Sequence, residues 1–285
     1  MLKELTPAPL SRSRLGPARA CASGRKDPLA EPQHQETAYS SPTGFARHQE
    51  DTGHFAIVKY ILGSMLDDVG EKVVSLGCGN GRLDRELVIM RSQELLRGGR
   101  LRVLGVDCEE KMTKDADARM HELVNGNSTF KNALRERRLL WQYKVATLGG
   151  PSFADLNLKD TVIGSSTPDT FISFMLFVIW ARKREAAIAA IADKSRAANG
   201  QVPATTFLSA EEYPIHVTPD PKLPPAFVYA VLDLKARAEM NPERIWGSFC
   251  RHGFIMKSGP HNNSLGSPKT DHVLRSAVLE FIGRD

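Results

Sequence analysis

The sequence is poor in cysteine and has no long apolar run, and each shortage excludes a class of protein. Its four cysteines, Cys21, Cys78, Cys108 and Cys250, stand far apart and form no CxxC pair. This spacing fits neither a zinc site nor a disulfide framework, and it favours a reducing compartment. The longest apolar run, residues 171–181, is shorter than the about 20 residues that a membrane helix needs. We therefore expect a soluble, cytoplasmic protein that binds no metal.

Beyond its amino-terminal residues the chain has no excess charge of either sign. The formal net charge is +5, from 38 Lys and Arg residues against 33 Asp and Glu residues. Residues 1–26 account for this charge, since they hold six basic residues and only Glu4 as an acid. A groove that tracks nucleic-acid phosphates needs clustered Lys and Arg, and the neutral remainder of the chain offers no such excess. Nucleic acid is therefore not an expected partner.

Residues 1–44 are rich in Pro, Ser, Arg and Ala and lack a sustained apolar period. This composition predicts a disordered basic leader. The first 26 residues also have the Arg-rich, acid-poor composition of an organellar transit peptide. A solvated tail and a targeting segment both remain open, so an organellar location is the alternative to the cytoplasm. The remainder, residues 45–285, is predicted to form one domain.

From residue 52 onward, helical and extended apolar patterns alternate along the chain. A helix from Thr52 is followed by a strand at 72–76, a glycine-rich segment, a helix at 82–96 and a strand at 101–107. Such a unit joins two parallel strands through a helical crossover. Further strands are predicted at 141–147, 169–177, 201–208, 254–257 and 273–282, and further helices at 112–124, 183–197 and 242–252. The order predicts a doubly wound α/β sheet, in which residues 209–241 form an insertion suited to a substrate cap.

The glycine-rich segment reads Gly77-Cys78-Gly79-Asn80-Gly81. Glycines at alternate positions permit a tight turn and let the backbone approach a ligand closely. Asp107 ends the next predicted strand, where a carboxylate can accept hydrogen bonds from ribose hydroxyls. The dinucleotide pattern GxGxxG fails in both frames, and no Gly-Lys-Ser or Gly-Lys-Thr of a P-loop follows. Loop and acid together indicate a nucleoside site of another kind.

Residues 73–81 together with Asp107 resemble the first motif and the ribose-binding acid of class I S-adenosylmethionine-dependent methyltransferases. The resemblance covers about residues 45–285. It implies a Rossmann-like, seven-stranded sheet with helices on both faces, the last strand antiparallel, and S-adenosylmethionine as cofactor. The cofactor contacts it implies come from Gly77, Cys78, Gly79, Gly81, Asp107, Cys108, Met112, Ser152, Phe153, Asp155 and Met175. For residues 152–155, a turn with a helix-capping Asp fits the sequence equally well.

The resemblance also bears on the methyl acceptor. Relatives that methylate a planar amide or base nitrogen usually carry Asn or Asp followed by Pro-Pro-Tyr or Pro-Pro-Phe after the fourth strand. This chain has Met175-Leu176-Phe177 there, which disfavours such acceptors. The run at 171–180 and the region at 242–253 are similar to small-amine methyltransferases of the histamine type. We therefore expect a small-molecule N, O or S acceptor, with an amine as one option.

Candidate catalytic residues are polar groups that can reach the cofactor from covering segments: Glu50, His54 and His216. Glu50 is the first choice for holding a cationic amine, and His216 lies among the prolines of the insertion. The alternative for His54 is an ordinary surface residue. A base is needed only if the bound acceptor carries a proton.

Two other functions remain open. One is an RNA or protein methyltransferase that uses the basic leader as a tether. The other is a catalytically silent binding subunit, which the intact glycines and Asp107 disfavour, since a degenerate site would be free to lose them.

Overall fold

The computed structural model describes residues 54–174, 184–196, 205–214, 242–264 and 272–283. The predicted leader, Glu50, Met175 and His216 lie outside these ranges. Among the described helices, none has the length and apolar character that crossing a bilayer requires.

Helices and strands alternate through most of the described chain. The helices are α1 (His54–Ser64), α2 (Arg82–Met90), α3 (Ser92–Leu96), α4 (Glu110–Gly126), α5 (Ser128–Arg135), α6 (Pro151–Ala154), α7 (Arg184–Ser195) and α8 (Pro242–Arg251). The strands are β1 (Lys72–Leu76), β2 (Leu101–Asp107), β3 (Leu139–Val145), β4 (Thr170–Phe174), β5 (Thr206–Pro214), β6 (Phe254–Ser264) and β7 (His272–Phe281).

The strands form one sheet of seven, in the order β3-β2-β1-β4-β5-β7-β6. Strands β1 to β5 pair in parallel, whereas β7 runs antiparallel to both of its neighbours. The predicted doubly wound α/β fold with an antiparallel last strand is therefore confirmed. From β1 the chain proceeds towards β2 and β3 on one side, and β4 starts the other half. The sheet thus has its switch point between β1 and β4, where ligands of such folds bind.

Apolar side chains cover both faces of the sheet. On one face Val73, Val103 and Ile172 pack with residues of α1, α2, α4 and α5. On the other face Phe207 stacks on Phe249 of α8, with 4.2 Å between ring centroids. Trp246 is also fully buried there, so these two aromatic residues of α8 belong to the core rather than to a substrate pocket.

Several predicted elements differ from those of the structure. The predicted helix at 82–96 is divided at Arg91, and the charged stretch before β3 contains α5, which Asn127 caps by accepting hydrogen bonds from the Thr129 and Phe130 N–H groups. Strand β5, predicted at 201–208, spans Thr206–Pro214 and so continues into the predicted insertion, while residues 201–204 lie outside the described residues. Its pairing with β7 from Thr206 to Pro214 explains the extension, because ladder hydrogen bonds prolong a strand beyond its apolar pattern.

Candidate functional site

The glycine loop connects the end of β1 to the start of α2. Gly77, Gly79 and Gly81 have φ angles of 63°, 54° and 67°, a left-handed region that residues with a Cβ rarely adopt. The Gly81 N–H donates to the Cys78 carbonyl at 2.9 Å, which closes the turn. The Cys78 N–H donates to Val106 of β2 at 3.1 Å. Glycine is therefore required by the backbone of this turn, as the sequence pattern indicated.

Two glycines also provide space for a neighbouring ring. A Cβ added to Gly81 would lie 2.8 Å from both the Tyr143 hydroxyl and the Ala116 Cβ. A Cβ added to Gly105 of β2 would lie 2.3 Å from a Tyr143 ring carbon and 3.0 Å from the Cys78 Sγ. The Tyr143 side chain therefore crosses β2 at Gly105 and ends beneath the glycine loop.

Asp107 ends β2 directly beside this loop. Its Oδ2 accepts a hydrogen bond from the Gly79 N–H at 2.9 Å, and its Oδ1 accepts one from the Glu109 N–H at 2.9 Å. Burial raises the pKa of Asp107, and these two hydrogen bonds oppose the rise. The Cys108 N–H and thiol also act on this carboxylate as hydrogen-bond donors. Asp107 is only partly buried beside the loop, so a ligand can still reach it.

The thiols of Cys78 and Cys108 lie near the Asp107 carboxylate and are unreactive. Burial, and then the Asp107 charge, raise the pKa of Cys108 to about 12. The same two causes raise the pKa of Cys78 well above its usual value. Both thiols thus remain protonated at neutral pH, and neither is a nucleophile, because the thiolate is the reactive form.

The segment after β3 carries three of the predicted cofactor contacts. The Ser152 hydroxyl accepts a hydrogen bond from the Thr147 N–H at 2.9 Å, and Asp155 is exposed. Phe153 is fully buried in the core, with the Lys194 ammonium 5.2 Å from its ring centroid. Met112 is buried in the first turn of α4. Cofactor contacts of these residues stay predictions.

The catalytic candidates are only partly placed. His54 is the first residue of α1, whereas Glu50 and His216 lie outside the described residues. Tyr213, expected in the insertion, pairs with Val273 within the sheet. Another histidine, His261, lies on the edge strand β6, and its Nε2 is 2.9 Å from the Ser258 Oγ. Three strands separate β6 from β1, so His261 stands away from the glycine loop.

Sequence reasoning missed a set of buried polar atoms around the loop. Within the described part of the chain, four of them have no hydrogen-bond partner: Asn80 Oδ1, Asp84 Oδ2, Tyr143 Oη and Ser173 Oγ. Buried polar groups are nearly always paired, so such a group of exceptions indicates a place that a ligand or water completes. The available signal was Asp84, an acid in the first turn of the helix that follows the glycines.

Known structures share this architecture. Magnesium protoporphyrin IX methyltransferase from Synechocystis PCC 6803, solved with bound S-adenosylhomocysteine, matches with a TM-score of 0.51 and 16% identity. The match covers 88% of this chain and 100% of that one. The chain has the class I S-adenosylmethionine-dependent methyltransferase fold. The family resemblance of the sequence is thereby confirmed at the level of the fold.

Two further structures show lower scores. The same Synechocystis methyltransferase with bound S-adenosylmethionine gives a TM-score of 0.49 at 16% identity, covering 88% of this chain and 97% of that one. The N-methyltransferase NodS from Bradyrhizobium japonicum WM9 gives 0.47 at 9% identity, covering 81% and 87%. No protein-family model and no curated protein matches the sequence. The methyltransferase fold therefore rests on the structural likeness together with the glycine loop and Asp107.

Proposed function

We propose that this protein is an S-adenosylmethionine-dependent methyltransferase that acts on a small molecule. One observation carries the proposal: a turn of three left-handed glycines lies against a carboxylate at the switch point of the sheet. A nucleoside cofactor needs such a close backbone approach beside an acceptor for its ribose hydroxyls.

The residues of the site fit this cofactor. Asp107 lies against the glycine loop and is only partly buried, so ribose hydroxyls can reach its carboxylate. Asn80 lies in the glycine loop, and Ser173 pairs in register with Leu76, the last residue of β1. Both side chains are buried and hold an unpartnered oxygen, which suits a polar ligand at the loop.

When bound, S-adenosylmethionine supplies a methyl group on a sulfonium, which an acceptor takes by in-line displacement. The glycine loop and Asp107 would fix the cofactor's position, and the covering segments would orient the acceptor. Alignment of this kind can contribute about 7–11 kcal/mol to catalysis. Glu50, His54 and His216 are proposed to contact the acceptor, and one of them acts as base only if the acceptor carries a proton.

A small-molecule acceptor is supported by charge and by sequence. The chain beyond residue 26 is neutral, which does not favour a long polyanionic substrate. The segment after β4 also lacks the Pro-Pro pattern associated with planar amide and base nitrogens. Turnover of radiolabelled S-adenosylmethionine with panels of amines, phenols and thiols would identify the acceptor class.

Calorimetry tests the cofactor first. Titration of the full chain with S-adenosylmethionine and S-adenosylhomocysteine should give saturable binding, whereas NAD and ATP should give none. Binding of NAD or ATP without either adenosyl compound would refute the proposal.

Asp107→Asn tests the carboxylate within that site. The amide keeps the shape and one acceptor oxygen but loses the charge, so affinity for S-adenosylhomocysteine should fall by about 1.5–3 kcal/mol, the usual value of a hydrogen bond to a charged group. Asp67→Asn, at an exposed position before β1, is the matched control and should bind like the wild type. Equal affinity of both variants would remove Asp107 from the site.

A further inference from the structure

Three polar side chains, those of Ser75, Tyr143 and Asp84, lie close together near the glycine loop. Ser75 and Tyr143 belong to one row across the sheet, and Asp84 lies on the helix next to it. Ser75 of β1 pairs with Gly105 of β2, and Gly105 pairs with Tyr143 of β3. Because Gly105 has no side chain, the Tyr143 ring lies over β2 and its hydroxyl reaches the underside of Gly81. Asp84, in the first turn of α2, is close to the hydroxyls of both Ser75 and Tyr143.

Asp84 is almost completely buried, with 2% of its surface exposed. Burial raises its pKa to about 6, while the Ser75 and Tyr143 hydroxyls and the Arg85 charge act in the opposite direction. Asp84 Oδ2 and Tyr143 Oη nevertheless have no hydrogen bond of ordinary geometry. The pair therefore lies close together and is not fully satisfied.

Other ionisable groups surround this pair. The Cys78 thiol is near both Asp107 and Asp84, whose charges raise its pKa. The Arg85 guanidinium donates a hydrogen bond to the Asn80 carbonyl at 2.7 Å. It also interacts electrostatically with Arg119 and Asp115 on α4. Asp84 is thus the carboxylate beneath the loop, whereas Asp107 is the carboxylate beside it.

We propose that Asp84 and Tyr143 are positioning residues, in which ionised Asp84 holds the Tyr143 hydroxyl beneath Gly81 and thereby supports the glycine loop for cofactor binding. This inference rests on the proposed function. Neither residue is catalytic, since both side chains lie below the loop. The first turn of a helix favours the ionised form of Asp84, and a carboxylate can accept from both hydroxyls at once. Protonation gives up acceptor capacity, so the ring loses its fixed position and the loop loses its support.

The test measures affinity for S-adenosylhomocysteine by calorimetry between pH 5 and 7.5, in the wild type, Asp84→Asn and Tyr143→Phe. If only the ionised form supports binding, wild-type affinity falls about tenfold from pH 7.5 to 5, with a midpoint near the pKa of Asp84, about 6. Asp84→Asn should bind S-adenosylhomocysteine weakly at every pH in this range and should lack this fall in affinity at low pH. Tyr143→Phe removes the hydroxyl that Asp84 is proposed to hold, so this variant should also bind weakly at every pH and should lack the fall in affinity at low pH.

Thermal melting separates support of the loop from support of the fold. The pKa of Asp84 is raised above its unfolded value, so its ionisation lowers stability as the pH rises towards 6 and above. Asp84→Asn should therefore melt at least as high as the wild type at pH 7.5 while binding the cofactor less tightly. A loss of binding that merely followed a lower melting temperature would overturn the inference.

Controls distinguish the possible failures. Tyr60→Phe, at a position that is 68% exposed, should show the wild-type profile. Ser75→Ala keeps the Tyr143 hydroxyl but removes one that stabilises the carboxylate, so its midpoint should move to higher pH, which keeps the test valid if Tyr143→Phe does not fold. Asp107 still titrates in the Asp84→Asn variant. The difference between the affinity profiles of the wild type and this variant against pH therefore reports on Asp84 alone. No binding by the wild type refutes the proposed function, whereas tight wild-type binding with unchanged profiles in the variants refutes only this inference.

Discussion

Polar side chains at the two ends of the parallel strands differ in their hydrogen bonding. The end at which these strands begin is here the amino-terminal edge of the sheet, and the end at which they finish is the carboxyl-terminal edge. At the amino-terminal edge, Thr170 accepts a hydrogen bond from the Gly70 N–H at 2.9 Å, and Thr206 donates to the Asp68 carbonyl at 2.9 Å. The two threonine hydroxyls are 3.1 Å apart, and Asp169 accepts from the Lys72 N–H at 2.9 Å. Each of these groups is paired with the protein itself, so none of them needs a ligand.

At the carboxyl-terminal edge the buried groups around the glycine loop are left open. Asn80 and Ser173 each hold an atom without a partner, and the neighbouring Asp84 and Tyr143 side chains make no hydrogen bond of ordinary geometry. Asp84 also has a pKa raised to about 6, mainly by burial. Open polar groups cost stability, and they are expected where a fold reserves them for binding. Substitutions at the amino-terminal edge should therefore change stability, and those at the carboxyl-terminal edge should change cofactor affinity.

The largest effect is expected from Gly105→Ala. The added methyl would lie 2.3 Å from the Tyr143 ring within a buried strand, and overpacking of this kind costs about 1–3 kcal/mol. Displacement of the ring should also weaken cofactor binding. Gly247→Ala, in α8 with no atom within 4 Å of the added methyl, is the control and should retain full stability. Denaturant unfolding and calorimetry measure the two effects, and wild-type values in both would show that the ring moves freely.

Gly81→Ala should act mainly on binding. Its added Cβ would contact the Tyr143 hydroxyl and Ala116 at 2.8 Å, beneath the loop that holds the cofactor. We expect affinity for S-adenosylhomocysteine to fall by about tenfold or more, which corresponds to about 1.4 kcal/mol. Gly98→Ala shares the positive φ, at 94°, but meets no atom within 4 Å. If both variants bind equally, contact with Tyr143 has no part in the effect.

The smallest effect is expected at the other edge, from Thr206→Val. This change keeps the side-chain shape and removes the hydrogen bond to the Asp68 carbonyl. Stability should fall by about 0.5–1.5 kcal/mol, the net value of a typical hydrogen bond, and cofactor affinity should stay unchanged. Chemical unfolding measures the stability, and calorimetry measures the cofactor affinity. A clear loss of affinity would show that the two edges are coupled.

Sequence patterns were most informative where structure follows from neighbouring residues. Strands β1 and β2 were predicted with their observed bounds, because each is a short apolar run that ends at a glycine or an acid. Strand β3 was predicted two residues late and helix α5 was missed, since this stretch is charged and weakly patterned. The end of β5 was also missed, because its last residues are held by pairing with β7 rather than by their own apolar pattern.

The sequence by itself determined the type of site: glycines at alternate positions and an acid at a strand end are requirements of backbone conformation and can be read locally. Only the tertiary structure decided what lies beneath that site. Tyr143, Gly105 and Ser75 come from three separate strands, and they form one row because of the register between those strands. Strand register depends on packing across the whole sheet, and a shift of one residue would place the Tyr143 side chain on the opposite face.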